Sequence, residues 1–199
     1  RTTTLLNVLA DEIVWLTGDN NYCMLVDHSK ISSIVTWTQK TNLLGKHFNL
    51  VVNLEDDLEV AKLLKEIKYD QLSGAYLNNS DKMSYTEDLK EWFDLSLISR
   101  FGKEKADELK YQNRKTYQEM LFSGLGFNFT GQPYHLPNST PTDLEGDIAI
   151  AAESGSVWPM KKWAYYKETK DKLENDGFKV NFLPRSEEHT SELQSRQSI

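Results

Sequence analysis

Glu153-Ser154-Gly155-Ser156, followed by Pro159, Lys161 and Lys162, is the stretch of this chain whose residue types best suit chemistry. Small residues leading into a helix expose unpaired backbone N–H groups and a partial positive charge, a combination that suits a phosphate or diphosphate. Nearby lysines add mobile ammonium donors. The candidate anion ligands are therefore Ser154, Gly155, Ser156 and Lys161, with Lys162 beside them. The same pattern also serves as a plain capped turn with solvated lysines, and spacing alone leaves both readings open.

Such a loop needs a strand before it and a helix after it. Residues 148–152 (IAIAA) are uniformly apolar, which predicts a strand buried on both faces of a parallel sheet. Pro159 suits the first turn of a helix, because its missing N–H costs nothing there. Trp163, Tyr166, Lys170 and Leu173 follow at helical spacing, with the Lys170 stem able to lie over the apolar stripe. Asn175-Asp176-Gly177 ends that helix, and 178–183 (FKVNFL) returns as a strand. Together these make one βαβ unit over 146–184, whose parallel strands require a crossover.

The preceding chain alternates in the same way. Residues 2–10 read as a helix, 12–17 as a strand, 22–26 as a short helix, and 31–37 (above all its 34–37 half), 48–53 and 72–77 as further strands. A helix from Asp56 carries Val60, Leu63, Leu64 and Ile67 on one face. The apolar block 92–98 has no assigned element. A single long helix is expected over 103–122, striped by Ala106, Leu109, Asn113, Tyr117, Met120 and Leu121 and stopped at Gly124-Leu125-Gly126. Pro133, Pro137 and Pro141 mark 132–145 as an interdomain connection. The alternation predicts a doubly wound α/β architecture.

Composition narrows the function classes. A chain of 199 residues has room for one full core and part of a second. Its net charge of −7 opposes a broad nucleic-acid surface, so no nucleic-acid partner is expected. No apolar run reaches membrane-spanning length. Cys23 is the lone cysteine, which excludes an intrachain disulfide and a cysteine zinc site and is compatible with a reducing cytoplasm. His28, His47, His135 and His189 are scattered, and no Walker loop, serine elbow or dinucleotide fingerprint is present. Neither a metal nor a cofactor is expected. Arg100, Lys103, Lys105, Lys110, Arg114 and Lys115 could form an electropositive rim, but interleaved Glu104, Asp107 and Glu108 favour a solvated helix face.

SGSVWPMKKW, at 154–163, resembles the first donor-domain loop of the ADP-heptose:lipopolysaccharide heptosyltransferase family (glycosyltransferase family nine). In that family small residues precede a Lys–x–Trp element and then a helix, and Lys161-Lys162-Trp163 matches the element. The opening TTTLL resembles the helix written GDxxxTTPLL, with Thr4 where proline is usual. FNLVVNL resembles the strand written FDLVINL, although Glu55-Asp56-Asp57 follow where small or amide residues are commoner. Residues 91–122 are similar to one branch of the family.

The resemblance implies a two-domain GT-B fold. Residues 1–131 would be a Rossmann-like acceptor-side domain lacking its first strand, 132–145 a linker, and 146–184 the start of a donor domain for the nucleotide sugar. It implies inverting transfer of a heptose or related sugar from an ADP-sugar donor to a lipopolysaccharide core acceptor. Ser154, Gly155, Ser156 and Lys161 would bind the donor, and Thr2 and Thr3 would lie on the acceptor side. The family's general base is an aspartate expected just before Arg1, so no catalytic residue is assigned. Asp11, Asp19, Asp56 and Asp57 read as cap or turn residues. Without that loop and most of a donor domain, the chain as given is expected to show no transfer. The implied location is the cytoplasm, extending to peripheral association with the cytoplasmic face of the inner membrane. Two alternatives stand beside this: a GT-B transferase using another nucleotide sugar, and a non-catalytic α/β binding module. Residues 185–195, RSEEHTSELQS, match a translated sequencing-library adapter, and 185–199 are expected to lie outside the fold.

Overall fold

β-branched and aromatic runs form the strands of the first half, as expected for a pleated, half-buried surface. The structure, a computed structural model, describes residues 2–9, 12–95, 101–138, 141, 144–154 and 159–183. The residues 185–199 of the adapter-like tail lie outside that set. β1 (Ile13–Thr17) and β2 (Ile31–Thr36) pair in parallel, with Trp15 opposite Ile34 and Thr17 opposite Thr36. β3 (His47–Asn53) pairs in parallel with β4 (Lys68–Leu77), and β4 turns back on β5 (Met83–Tyr85) in antiparallel register. The crossover between β3 and β4 is α1 (Leu58–Leu63), whose cap Asp57 accepts hydrogen bonds from the Glu59 and Val60 amides at 2.8 and 3.1 Å. After β5 come α2 (Lys90–Asp94), α3 (Lys103–Gln112) and α4 (Tyr117–Gly124).

The architecture is mixed α/β. Among the described residues, however, β1–β2 and β3–β4–β5 are separate sheets, not one doubly wound sheet. The chain divides into two compact units, Arg1–Pro137 and Asn138–Ile199. In the first, Leu5, Ala75, Leu89, Phe93, Leu121 and Phe122 form the main core, flanked by Val52, Trp92, Phe127 and Phe129. A second cluster, Val35, Leu43 and Leu63, packs with Val14, Leu16, Trp37 and Phe48. The unassigned block at 92–98 supplies Phe93 and Leu95 to the interior from α2 and its C-terminal cap; 96–100 lie outside the described residues.

Several expected elements take another form. The single helix over 103–122 is two helices. Asn113 adopts an extended backbone and binds Lys115 at both its amide and its carbonyl. Thr116 then caps α4, its hydroxyl accepting from the Glu119 amide while Glu119 accepts from the Thr116 amide. This capping box restarts the helix. Residues Thr2–Asn7 form a 3-10 turn where an α-helix was expected, in keeping with three consecutive threonines whose branched side chains disfavour the α form. The short helix expected at 22–26 is likewise a 3-10 turn, displaced to Asp19–Met24. β4 begins at Lys68, earlier than expected, because its ladder with β3 starts at His47 opposite Lys68, beside the His47–Asp70 contact at 3.0 Å.

At Asn53 and Gly74 the β3–β4 ladder comes unusually close. Gly74 has φ 120°, and a Cβ there would meet the Asn53 carbonyl oxygen at 1.8 Å. Beside it, Asp88 accepts from the Ser73 hydroxyl at 2.5 Å and the Leu89 amide at 2.9 Å, while Thr86 Oγ1 accepts from the Gly74 amide at 2.6 Å. Burial pushes the Asp88 carboxyl up, but the Ser73 and Thr86 hydroxyls and the backbone amides together outweigh it and hold the group below its ordinary value.

Gly74→Ala is expected to cost at least about 3 kcal/mol, read as a lowered midpoint in chemical denaturation. For Asp88, the sign follows from its lowered value in the fold. Its contribution is complete above the ordinary carboxylate range and is lost as pH falls through the depressed value. Denaturation as a function of pH should therefore show the wild type approaching Asp88→Asn in stability on acidification; a constant gap would contradict this.

Candidate functional site

In the second unit, β6 (Ile148–Ile150) and β7 (Val180–Phe182) pair in parallel, Ile148 opposite Val180 and Ile150 opposite Phe182. The Asp147 carboxylate accepts from the Lys179 amide at 2.8 Å, and Leu183 donates to the Ile150 carbonyl at 2.9 Å, which fixes the register. α5 (Tyr166–Asn175) is the crossover. Gly177, at φ 93°, ends it in the left-handed conformation, and Val180 is the buried residue of β7. The expected burial of 148–152 on both faces is not found: Ile148 and Ile150 are half-buried and Ala149 is exposed. A strand covered on both faces needs a layer on each side, and the described part of this unit has only α5.

The loop 151–154 leaves the carboxyl end of β6, with Glu153 exposed and Ser154 half-buried. Gly155 and Ser156 lie outside the described residues. Pro159–Lys161 then forms a 3-10 turn, closed by the Lys162 amide donating to the Pro159 carbonyl at 3.1 Å. The helix expected to begin at Pro159 begins instead at Tyr166. Trp163 shows why, because its ring packs edge-on against both Tyr165 and Tyr166, at 5.6 and 5.5 Å between centroids. Side chains two positions apart do not face each other on a helix, so the backbone at Trp163–Tyr165 must turn outside it. Lys161 therefore sits on the turn preceding the helix, exposed, and not in the first turn of α5.

Lys162 reaches back across the loop and donates to both oxygens of Glu153, each at 3.0 Å. In the sequence Glu153 is legible only as a polar loop residue. Its one available signal was opposite charge on either side of a small-residue loop. The pair neutralises two charges at the loop mouth and fixes the ends of the described segments on either side of 155–158. Farther along, Tyr166, Lys170 and Leu173 are half-buried, as the apolar stripe requires, and Lys170 pairs with Glu174.

The acceptor-side candidates belong to the first unit. Thr2 and Thr3 are half-buried, and the Thr3 hydroxyl donates to the His135 carbonyl at 3.2 Å. Asp19 and Thr38, just past the carboxyl ends of β1 and β2, form a further polar cluster. Thr38 donates to Asp19 from its hydroxyl at 2.5 Å and from its amide at 3.3 Å, and its hydroxyl also meets that of Thr36 at 3.0 Å. The Thr38 hydroxyl is the main reason the Asp19 carboxyl is held below its ordinary value. Ligand crevices of open α/β sheets lie at such strand ends, yet here the aspartate is already engaged in joining two turns. Asp56 accepts from the Tyr85 hydroxyl at 2.8 Å and Asp57 caps α1, so both have structural partners; Asp11 lies outside the described residues.

The basic stretch is also paired among the described residues: Lys105 with Glu108, Lys110 with Asp107 and Lys115 with Glu91. Lys110 and Lys115 line a groove of about 370 Å³ with Leu95, Asn113, Tyr117 and Met120. Among the described residues no group of three or more His, Cys, Asp or Glu is placed to hold a metal ion, and no helix is long and apolar enough to cross a membrane. No protein-family model, curated protein or solved structure matches this chain.

Because the Glu153–Lys162 pair is solvent-exposed, it should contribute little to folding. Lys162→Ala is expected to change stability by less than about 0.5 kcal/mol in thermal denaturation.

Proposed function

We propose that this chain is part of a GT-B glycosyltransferase that moves a heptose or related sugar from an ADP-sugar to a lipopolysaccharide core acceptor. The work would be done in the cytoplasm, at or near the inner face of the membrane. The observation that carries the proposal is a single loop. The sequence SGSVWPMKKW follows the carboxyl end of β6 in a parallel strand–helix–strand unit, and Lys161 is exposed on the turn that precedes the helix.

The chemistry asked of this loop is modest. As an acceptor hydroxyl attacks the anomeric carbon, the bond from that carbon to the ADP oxygen breaks and negative charge grows on the diphosphate. A lysine ammonium and backbone N–H groups aimed at that charge lower the barrier. Lys161 is given the role of a charge-assisted donor, with Ser154, Gly155 and Ser156 offering hydroxyls and amides around it. Lys162 is the weaker candidate because the family's Lys–x–Trp element aligns Lys161, the first lysine. The proton-accepting base is assigned to no residue of this chain.

Calorimetric titration of ADP, ADP-heptose and UDP-glucose into the full-length parent protein tests the proposal. Charge-assisted hydrogen bonds contribute about 1.5–3 kcal/mol, so Lys161→Ala should weaken ADP and ADP-heptose binding by roughly ten- to a hundred-fold. Lys162→Ala should weaken it by less than about threefold. Tighter binding of UDP-glucose would move the assignment to another nucleotide-sugar transferase. Unaltered affinity in Lys161→Ala, or no ADP binding at all, would leave the loop an ordinary strand-to-helix turn.

A further inference from the structure

His28 and His135 come from distant parts of the first unit and meet with ring centroids 3.7 Å apart, their planes at 79°. His28 lies in the turn before β2, and its Nδ1 accepts from the Lys30 amide at 3.1 Å. A nitrogen that accepts from an N–H carries no proton of its own, so this contact requires a neutral His28 with its hydrogen on Nε2. His135 lies on the segment that follows α4 and leads toward the second unit. That segment is tied to the 3-10 turn Thr2–Asn7 by the Thr3 hydroxyl on the His135 carbonyl and the Asn7 amide group on the Pro133 carbonyl at 2.9 Å. His135 Nε2 is buried and has no hydrogen-bond partner.

We propose that the His28–His135 contact is an acid-sensitive clasp, holding the 132–137 segment against the first unit while His28 is neutral and releasing it when His28 takes up a proton. Protonation puts a hydrogen on Nδ1, where the Lys30 amide already donates, so that bond breaks. It also sets a positive charge against the His135 ring. Among the described residues the charged groups acting on His28 are His135, from the crossing segment, and Lys30, from its own turn; both are of positive sign when charged. The Thr2–Asn7 turn beneath the clasp has no titratable side chain to offset them. Burial, then His135 and Lys30, hold His28 below the ordinary imidazole value. A base held low in the folded form contributes stability above its ordinary value and loses it as pH falls through that value toward the depressed one.

The nuclear Overhauser effect between the side chain at position 28 and the His135 ring, followed with pH alongside the imidazole resonances, reads this directly. The effect should fall at least about threefold on acidification, with the same midpoint as His28 protonation. His28→Gln, which can still accept from the Lys30 amide, and His28→Phe, which keeps a ring against His135, should both abolish that pH dependence. Should either variant fold poorly, the coincidence of midpoints in the wild type still decides. An Overhauser effect that is constant with pH, that falls with a midpoint apart from His28, or that falls equally in a folded His28 variant would overturn the clasp.

Discussion

Where β3 and β4 meet at Asn53 and Gly74, the two backbones approach so closely that no side chain fits between them, and the first unit is arranged around that approach. The Asn53 side chain crosses the ladder and donates to the Ala75 carbonyl at 2.8 Å, while its oxygen accepts from Glu55 at 3.1 Å. Ala75, wholly buried, then sits under Phe93 and Phe122, so a small residue on β4 admits the aromatic core contributed by α2 and α4. Thr86 and Asp88 fasten the return of the chain after β5 to the same point. Buried polar groups are tolerated here because each has found a partner.

The second unit is held differently. Its strand pair is short and largely open to solvent, and local bonds at Asp147, Lys179 and Leu183 set its register. Met160, Trp163, Tyr165 and Phe178 are exposed on it. Glu153 and Lys162 are joined by an exposed ion pair.

Much of the fold was legible in the residues. Alternation marked β1, β2, β3 and β7, the apolar spacing after Asp57 marked α1, and Gly177 marked the end of α5, because each signal acts within a few residues of where it is written. The break at Asn113 was also written locally, as an asparagine followed by Thr116 and Glu119 in a capping box, but the apolar stripe continues in phase across it and masked the interruption. At the loop after β6, residue types marked an anion-binding pattern, while the true start of α5 was hidden by the contacts of Trp163 with two neighbouring tyrosines.

By itself the sequence determined an α/β chain of strands joined by crossovers and a lysine-bearing loop after one of them. Tertiary structure alone decided that Lys162 is bound to Glu153, that Asp88 closes on Ser73, and that His28 meets His135. The reason is physical. Caps, turns and periodicity are set by neighbouring residues, whereas these pairings depend on how the backbone brings together side chains whose separation along the chain carries no information about their distance in space.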